Sequence, residues 1–180
     1  LAFGPSQSGI IGGFDWVVLN NVPVSGSLDY APTIPGISFV AFHMMVAVIT
    51  PLLITGAFAE KLKWSSFCIF VIAWSIFIYY PLAHWTWGGG WLANLGFYDF
   101  GGGIVVHTAA GMGSLAAALL IGRRKYFGPD IMTPHNLPLA VIGASLLWFG
   151  WFGFNAGGAY SAGGLTANTL LATHAASAVS

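Results

Sequence analysis

The chain has 180 residues, of which 57% are hydrophobic and only 6% are charged, and its formal net charge is zero. A soluble domain carries about 25% charged residues, so this composition excludes an ordinary soluble protein and predicts several membrane spans. The balanced charge argues against a nucleic-acid partner. The single cysteine, Cys68, rules out an internal disulfide and a cysteine-based metal cluster.

Four long apolar windows, taken in chain order, are the predicted membrane helices; they cover about residues 37–59, 64–83, 103–122 and 137–155. Pro51 is expected to kink the first of them. Before the first window, the Gly-, Ser-, Pro- and Asn-containing stretch 4–34 reads as an external loop. The connection 85–99, rich in tryptophan, is expected to be a second external loop with an aromatic belt.

The two ends of the chain are expected to belong to further spans. Residues 1–3 read as the end of an earlier helix, and 166–180 are too few to cross, since a span needs about 20 residues. The prediction is therefore an all-α, polytopic transmembrane helix bundle with about four full spans and parts of two more. Residues 1–180 would form a single transmembrane domain, truncated at both ends.

The basic residues predict the orientation of these spans. All 5 of them fall in two short loops, one with Lys61 and Lys63 and the other with Arg123, Arg124 and Lys125. Two spans separate these loops, so both lie on one side of the membrane. The positive-inside rule predicts that this side is cytoplasmic, in a multi-pass protein of the cell membrane.

His107 lies alone in an apolar helix, which is costly and by default marks a functional site. It is separated from Arg123 by about 24 Å of helix, and so lies within a hydrocarbon layer about 30 Å thick. His107, Gly111, Ser114 and Ala118 share one helical face. A histidine above small residues fits a conduction path, and it fits close helix packing equally well.

Asp99, Trp87 and Phe154 each have a functional and a structural interpretation. Asp99 precedes the His107 helix, where a carboxylate can cap exposed N–H groups or contact a substrate directly, and the two roles are compatible. Trp87 could attract a cation with its indole face, or anchor the chain at the membrane interface. Phe154, in a run that alternates rings with glycine, could plug a pore or fill a gap between helices.

Metal, cofactor and enzyme functions have no support in the sequence. The 5 histidines, at positions 43, 84, 107, 135 and 174, have no carboxylate partners at helical spacing, so neither a zinc nor a di-iron site is expected. No cofactor is expected either. The sequence has no recognisable nucleophile–base pair, so it is not predicted to be an enzyme.

Several segments in order resemble the Amt/Mep/Rh ammonium transporter family, and its Amt branch in particular. The resemblance covers essentially the whole chain and is carried by DFGGGIVVH at 99–107, HWTWGGG at 84–90, TGAFAE at 55–60, PHNLP at 134–138 and GWFGFNAG at 150–157. It implies a stretch from the end of the second span to the start of the seventh of eleven. It also implies a homotrimer in which each protomer has its own pore.

The resemblance implies a role for each matching residue. Trp87 would help to recruit ammonium at an outer vestibule, and Asp99 would order that vestibule. Phe154 would be one of two stacked rings that block the pore mouth. His107 would be the first of two pore histidines, of which the second belongs to a later span.

Two departures from the family pattern bear on function. The other gating ring falls at Val46, which is aliphatic, and Phe42, one turn away, is a candidate substitute. Gly158 replaces a serine that often joins the recruitment site. The leading hypothesis is therefore transport of ammonium or ammonia through a histidine-lined pore. The alternative is an ammonium sensor built on the same scaffold and fused to a signalling domain. The expected partners are the lipid membrane and possible cytoplasmic regulatory proteins.

Overall fold

The computed structural model describes residues 1–124 and 134–180, so Lys125 lies outside the described residues. The described chain divides into two compact units, Leu1–Arg123 and Arg124–Ser180, and each is described by itself. Four of the described helices are long and apolar enough to cross a membrane: Gly36–Ala57, Trp64–Asn94, Gly103–Ile121 and Leu137–Gly157. The predicted fold class, a polytopic helical membrane protein, is confirmed. The prediction of a single domain stays a prediction.

The first unit begins with an extended segment and not with a helix. Residues 1–3 are not helical in this structure, and that they end an earlier span stays a prediction. The segment predicted as a plain loop contains two small antiparallel pairs, β1 with β2 and β3 with β4. Their bounds are Ser6–Gln7, Ile11–Gly12, Ser27–Leu28 and Ala31–Pro35. Such short strands carry little periodicity, which is why the sequence pattern does not reveal them.

The first span consists of α1, Gly36–Leu52, and a 3₁₀ turn, Thr55–Ala57. Pro51 lies in the last turn of α1, and the α-helix ends one residue later. In place of the expected kink, the α-helix ends here and the chain continues into the 3₁₀ turn. The side chain of Thr50 is fully buried, and its hydroxyl donates a hydrogen bond to the Val46 carbonyl at 2.7 Å.

The second span is longer than predicted. It runs through α2, a π-helical turn, α3 and the short α4, whose bounds are Trp64–Trp74, Ser75–Tyr79, Tyr80–Trp87 and Trp91–Asn94. Trp85 and Trp87 thus lie in a helix and not in the predicted external loop. Three glycines follow Trp87, and glycine favours loops on propensity; tertiary contacts override that preference here.

The third span begins with a π-helical segment, Gly103–Thr108, and continues as α5, Ala109–Ile121. The amide of His107 donates to the Gly102 carbonyl five residues before it, at 2.9 Å, as a π turn requires. Gly102 precedes the segment with φ of 84°, a left-handed conformation that favours glycine. Π-helical turns are rare and occur often at functional sites.

The core of the first unit lies between these spans and contains mainly large apolar side chains. Its most buried members include Phe39, Val46, Ile54, Tyr79, Val105 and Val106. Gly113 lets the spans approach closely, because a Cβ atom there would stand 3.0 Å from Ile54 and 3.1 Å from the Trp74 indole nitrogen. A small residue at such a contact is typical of packing between membrane helices.

The second unit contains α6, Leu137–Gly157, and α7, Gly164–Val179. Asn136 caps α6 by accepting a hydrogen bond from the Leu139 amide at 2.9 Å. The two helices are joined by a hydrogen bond from the Asn155 amide to the Thr173 hydroxyl at 3.0 Å. The residues at 166–180 are helical, and that they begin a further span stays a prediction.

Candidate functional site

Asp99 holds the entrance of the His107 helix. Its carboxylate accepts hydrogen bonds from three successive backbone amides, those of Gly103 at 2.6 Å, Ile104 at 2.8 Å and Val105 at 3.2 Å. These are the N–H groups that have no partner within a helix, and a negative charge there also meets the positive end of the helix dipole. The predicted capping contact is confirmed.

Trp87 is tied to the same turn from another helix. Its indole N–H donates to the backbone carbonyl of Asp99 at 2.5 Å. The ring is half-buried, so one part packs while another remains accessible. The last turn of α3 is thereby fixed to the start of the π-helical segment that carries His107. The indole and the histidine thus belong to two elements that are linked through Asp99.

The side chain of His107 is exposed, and so is the face beneath it. Gly111 and Ala118 are exposed and Ser114 is half-buried, and a Cβ atom at Gly111 would meet nothing within 4 Å. Close packing within the first unit uses other small residues of the same span, namely Ala109, Ala110, Gly113 and Ala117. The stripe below His107 is therefore not the one that packs helices together in this unit.

An aromatic cluster, which the sequence analysis did not identify, surrounds His43 beside Trp87. The His43 ring lies 5.4 Å from the Trp87 ring, 4.4 Å from Phe3 and 4.5 Å from Phe39, centroid to centroid. Tyr30 packs against Phe3 at 5.7 Å. These residues come from three separate parts of the chain, so no local pattern could have grouped them.

Tyr30 fixes the cluster to the end of α3. Its hydroxyl donates to the Gly88 carbonyl at 3.2 Å. Burial, and to a lesser extent the negative charge of Asp29, raises the pKa of the Tyr30 phenol. Tyr30 consequently remains a neutral hydrogen-bond donor through the physiological pH range.

The two residues considered for the gate in the first unit differ in exposure. Val46 is only 1% exposed and belongs to the core. Phe42 is half-buried, and its ring meets His43 edge-on with centroids 5.3 Å apart. Of the two, Phe42 is the one that contacts the aromatic cluster.

Phe154 lies in the second unit, where its ring stacks on Trp151 with centroids 4.4 Å apart and planes 13° from parallel. Asn155, next to it, contacts Thr173 through the hydrogen bond between α6 and α7. The Trp148 ring stacks on His174 at 5.9 Å. Aromatic side chains of α6 thus pack partly within their own helix and partly on α7.

His84 begins the HWTWGGG motif, and no role was predicted for it. It is fully buried in α3. Its Nδ1 lies 2.8 Å from the Ala2 carbonyl and its Nε2 lies 3.0 Å from the Ser6 hydroxyl. Both partners are about 80 residues away in sequence, so only the folded structure reveals them.

An apolar groove of about 630 Å³ lies elsewhere in the first unit, against α2 and α5. Its walls include Phe58, Trp74 and Met112, and neither Trp87 nor His107 lines it. Among residues 1–124 and 134–180, no three His, Cys, Asp or Glu side chains group as metal ligands would.

Comparison with known proteins identifies relatives over the whole chain. Residues 1–180 match the family model described as Ammonium Transporter Family. The chain is 52% identical over 177 residues to ammonium transporter 1 of Dictyostelium discoideum, covering 96% of this chain and 38% of that protein. It is 49% identical over 178 residues to a putative ammonium transporter of Methanothermobacter thermautotrophicus, covering 99% and 43%.

A solved structure resembles this one as well. The crystal structure of a Candida albicans Mep2 mutant matches with a TM-score of 0.80 and 35% sequence identity, over 90% of this chain and 36% of that chain. The chain thus spans about two fifths of the length of the curated relatives, 38% and 43% in the two above. With a family match over its entire length, the chain belongs to the ammonium transporter family.

Proposed function

We propose that the full-length protein transports ammonium or ammonia across a membrane, recruiting ammonium at an outer vestibule and passing it through a hydrophobic, histidine-lined pore. The observation that carries the proposal is the hydrogen bond from the Trp87 indole to the Asp99 carbonyl. It joins a cation-attracting ring to the capped start of the helix that presents His107. The names of the relatives, all ammonium transporters, support the choice of substrate.

Recruitment is the first step. The electron-rich face of an indole attracts a cation by about 0.5–2 kcal/mol, and Trp87 is the half-exposed indole of the aromatic cluster. The Asp99 carboxylate is occupied by three backbone amides, so its part is to hold the helix start in place and to add negative charge nearby. Ammonium would therefore meet the ring first, with Asp99 acting at a distance.

Passage past His107 is the second step. An intact charge is heavily penalised in an apolar path, so ammonium would leave its proton and cross as a neutral molecule. Potassium, which has a similar size, has no proton to leave. A neutral imidazole offers one donor and one acceptor nitrogen, which suits the binding of ammonia or the relay of a proton.

The gate between the two steps is assigned to aromatic rings. Phe154 would supply one ring, and its stack on Trp151 keeps its plane defined. Phe42 would supply the other in place of Val46, because Phe42 contacts the cluster whereas Val46 is in the core.

Ammonium sensing is the second candidate, and the aliphatic Val46 and the glycine at 158 are the observations that favour it. Both alter positions that a transporter of this family would be expected to keep. A sensor would bind ammonium through the same vestibule and transmit a conformational change to a signalling domain. Binding without net flux would distinguish it from a transporter.

The experiment is uptake of radiolabelled methylammonium by liposomes that contain the full-length protein. The proposal expects a saturable initial rate well above that of protein-free liposomes, and inhibition of that rate by ammonium. The matched control is the same preparation inactivated by heat. Ammonium binding by calorimetry together with an uptake rate equal to the control would contradict transport and support sensing.

The oligomeric state and the surface for a regulatory partner are also proposals. We propose a homotrimer with a pore in each protomer, as the resemblance to the family implies. A cytoplasmic regulatory protein would find its surface on the loops that carry Lys61, Lys63, Arg123, Arg124 and Lys125. Lys61 already donates to the carbonyl of Gly122, which links these two loops.

The same loops are proposed to face the cytoplasm. Cysteine introduced at Lys63 or Lys125, in a protein whose Cys68 has been replaced by serine, should resist an impermeant thiol reagent added to intact cells. A cysteine introduced at Leu95, which is 75% exposed and which the same orientation would place outside, is the matched positive control and should label. Labelling of Lys63→Cys from outside would contradict the orientation.

A further inference from the structure

His84 joins a membrane helix to the beginning of the chain. The imidazole, fully buried in α3, contacts the Ala2 carbonyl through Nδ1 and the Ser6 hydroxyl through Nε2. A carbonyl can only accept, so Nδ1 carries the proton and Nε2 accepts from the Ser6 hydroxyl. Both ring nitrogens are thus satisfied by one segment, which we call the outer segment and define as residues 1–13.

Further contacts attach the outer segment at the same place. The Trp85 indole donates to the Ile10 carbonyl at 2.7 Å, and the Trp91 amide donates to the Gly9 carbonyl at 3.1 Å. Gly88 has no room for a side chain, because a Cβ atom would collide with the Ala2 carbonyl that His84 binds. His84 is the only one of these groups that is fully buried and makes two bonds to the segment.

The outer segment in turn touches the site. Phe3 follows Ala2, and its ring lies 4.4 Å from that of His43, which lies 5.4 Å from that of Trp87. Phe3 also packs edge-on against Phe39 at 5.0 Å. A shift of Ala2 would therefore be passed through Phe3 to the wall on which Trp87 rests.

We infer that His84 is a positioning residue for ammonium recruitment: by binding Ala2 and Ser6 it holds Phe3 against His43 and so sets the position of the Trp87 ring. The inference rests on the proposed function, since it assigns Trp87 to the recruitment of ammonium. His84 does not touch the substrate. Its effect should appear in the concentration dependence of transport, and the maximal rate should stay the same.

The test uses the full-length protein in liposomes and compares methylammonium uptake by the wild type and three variants. His84→Phe fills the same space without hydrogen bonds, and we expect its half-saturation concentration to rise about fivefold with an unchanged maximal rate per folded protein. His84→Asn keeps a donor that can reach the Ala2 carbonyl and should restore part of the loss. Ser6→Ala, which leaves the core intact, should raise half-saturation about twofold.

The control is Thr86→Val in the same helix. Thr86 is also buried, but its hydroxyl donates to Leu82 within the helix, at 2.9 Å, and not to the outer segment. Its half-saturation concentration should match the wild type. Hydrogen exchange supplies a second readout that needs no transport. The amides of Gly12 and Gly13, which donate to Leu1 and Pro5 at 2.8 Å, should exchange faster in His84→Phe and Ser6→Ala than in Thr86→Val.

The outcomes separate this inference from the function on which it rests. If Trp87→Leu raises half-saturation and the His84 and Ser6 variants do not, the positioning role is wrong and recruitment by Trp87 stands. A lower maximal rate at unchanged half-saturation would also overturn the role, because it would make His84 a purely structural residue. If Trp87→Leu itself has no effect, recruitment by Trp87 fails and the inference fails with it.

Discussion

Two histidines in the first unit show opposite solutions to the same physical problem. An imidazole in an apolar helix is costly unless its nitrogens are satisfied. At His84 both nitrogens bond to the outer segment and the side chain is fully buried. At His107 the side chain is exposed above a stripe of small residues. The first is held by hydrogen bonds within the fold, and the second is the group that we propose meets the substrate.

The surroundings of the two histidines differ in the same sense. The end of α3 near His84 is crowded by contacts from distant parts of the chain, and Gly88 there has no space for a Cβ atom. The face below His107 is open at Gly111, while the helix that carries it is held from its start by Asp99. The candidate site is thus tightly packed near His84 and open below His107.

The largest effect is expected at His107. His107→Leu should reduce methylammonium uptake to the level of protein-free liposomes, because leucine can neither accept nor donate a proton. Its unfolding temperature in detergent should stay near the wild type, since the side chain is exposed. His84→Phe should do the reverse, lowering the unfolding temperature while the folded protein still transports.

The proposed difference between His84 and His107 is wrong if His107→Leu transports like the wild type while assembling normally. His107 would then be a structural group, and the exposed stripe below it would have no part in conduction. Size-exclusion chromatography of each variant, run beside the uptake assay, separates loss of assembly from loss of transport.

A smaller effect is expected at Asp99, which supports the open region without lining it. Asp99→Ala removes the acceptor of three backbone amides, and loss of a helix cap costs about 0.5–2 kcal/mol of stability. Asp99→Asn keeps one carbonyl acceptor and should cost less. Thermal unfolding measures both, and uptake should fall in the same order as stability.

Equal unfolding temperatures for Asp99→Ala and the wild type would show that the cap is not needed to hold this helix. A loss of uptake in Asp99→Asn at full stability would instead assign Asp99 a direct effect of its charge on ammonium.

The smallest of the three effects is expected at Trp87. Trp87→Leu should raise the half-saturation concentration on the order of tenfold, since a cation–π contact supplies about 0.5–2 kcal/mol. The indole also donates to the Asp99 carbonyl, so Trp87→Phe is needed to separate the two roles. Phenylalanine keeps a ring face and loses the donor. The half-saturation concentration of Trp87→Phe should therefore lie between those of the wild type and Trp87→Leu.

The matched control for Trp87 is Trp91→Leu, at an exposed tryptophan of the same segment. Its half-saturation should equal that of the wild type. If Trp91→Leu and Trp87→Leu behave alike, both rings are interface anchors and recruitment lies elsewhere.

Features encoded locally were predictable from the sequence. The four spans follow from apolar runs, and the Asp99 cap follows from a carboxylate placed just before a helix. The His107 face follows from helical spacing, because residues downstream of the π turn keep the α-helical period. Each of these depends on residues within a few turns of one another.

Features that join distant segments were not predictable. His84 bonds to residues about 80 positions earlier, and the cluster around His43 combines three parts of the chain. The continuation of the second span to Asn94 depends on contacts of Trp85 and Trp91 with the outer segment. The hydrophobic periodicity of one segment does not indicate which distant segment it contacts, so such contacts appear only in the folded structure.

The flux of radioactive rubidium, a substitute for potassium, tests the central claim most directly. It is measured in the same liposomes that take up methylammonium through the full-length protein. If the path past His107 rejects intact charge, rubidium flux should equal that of protein-free liposomes while methylammonium uptake proceeds. Rubidium flux that rises with methylammonium flux would mean that the cation crosses with its charge, and it would contradict the account.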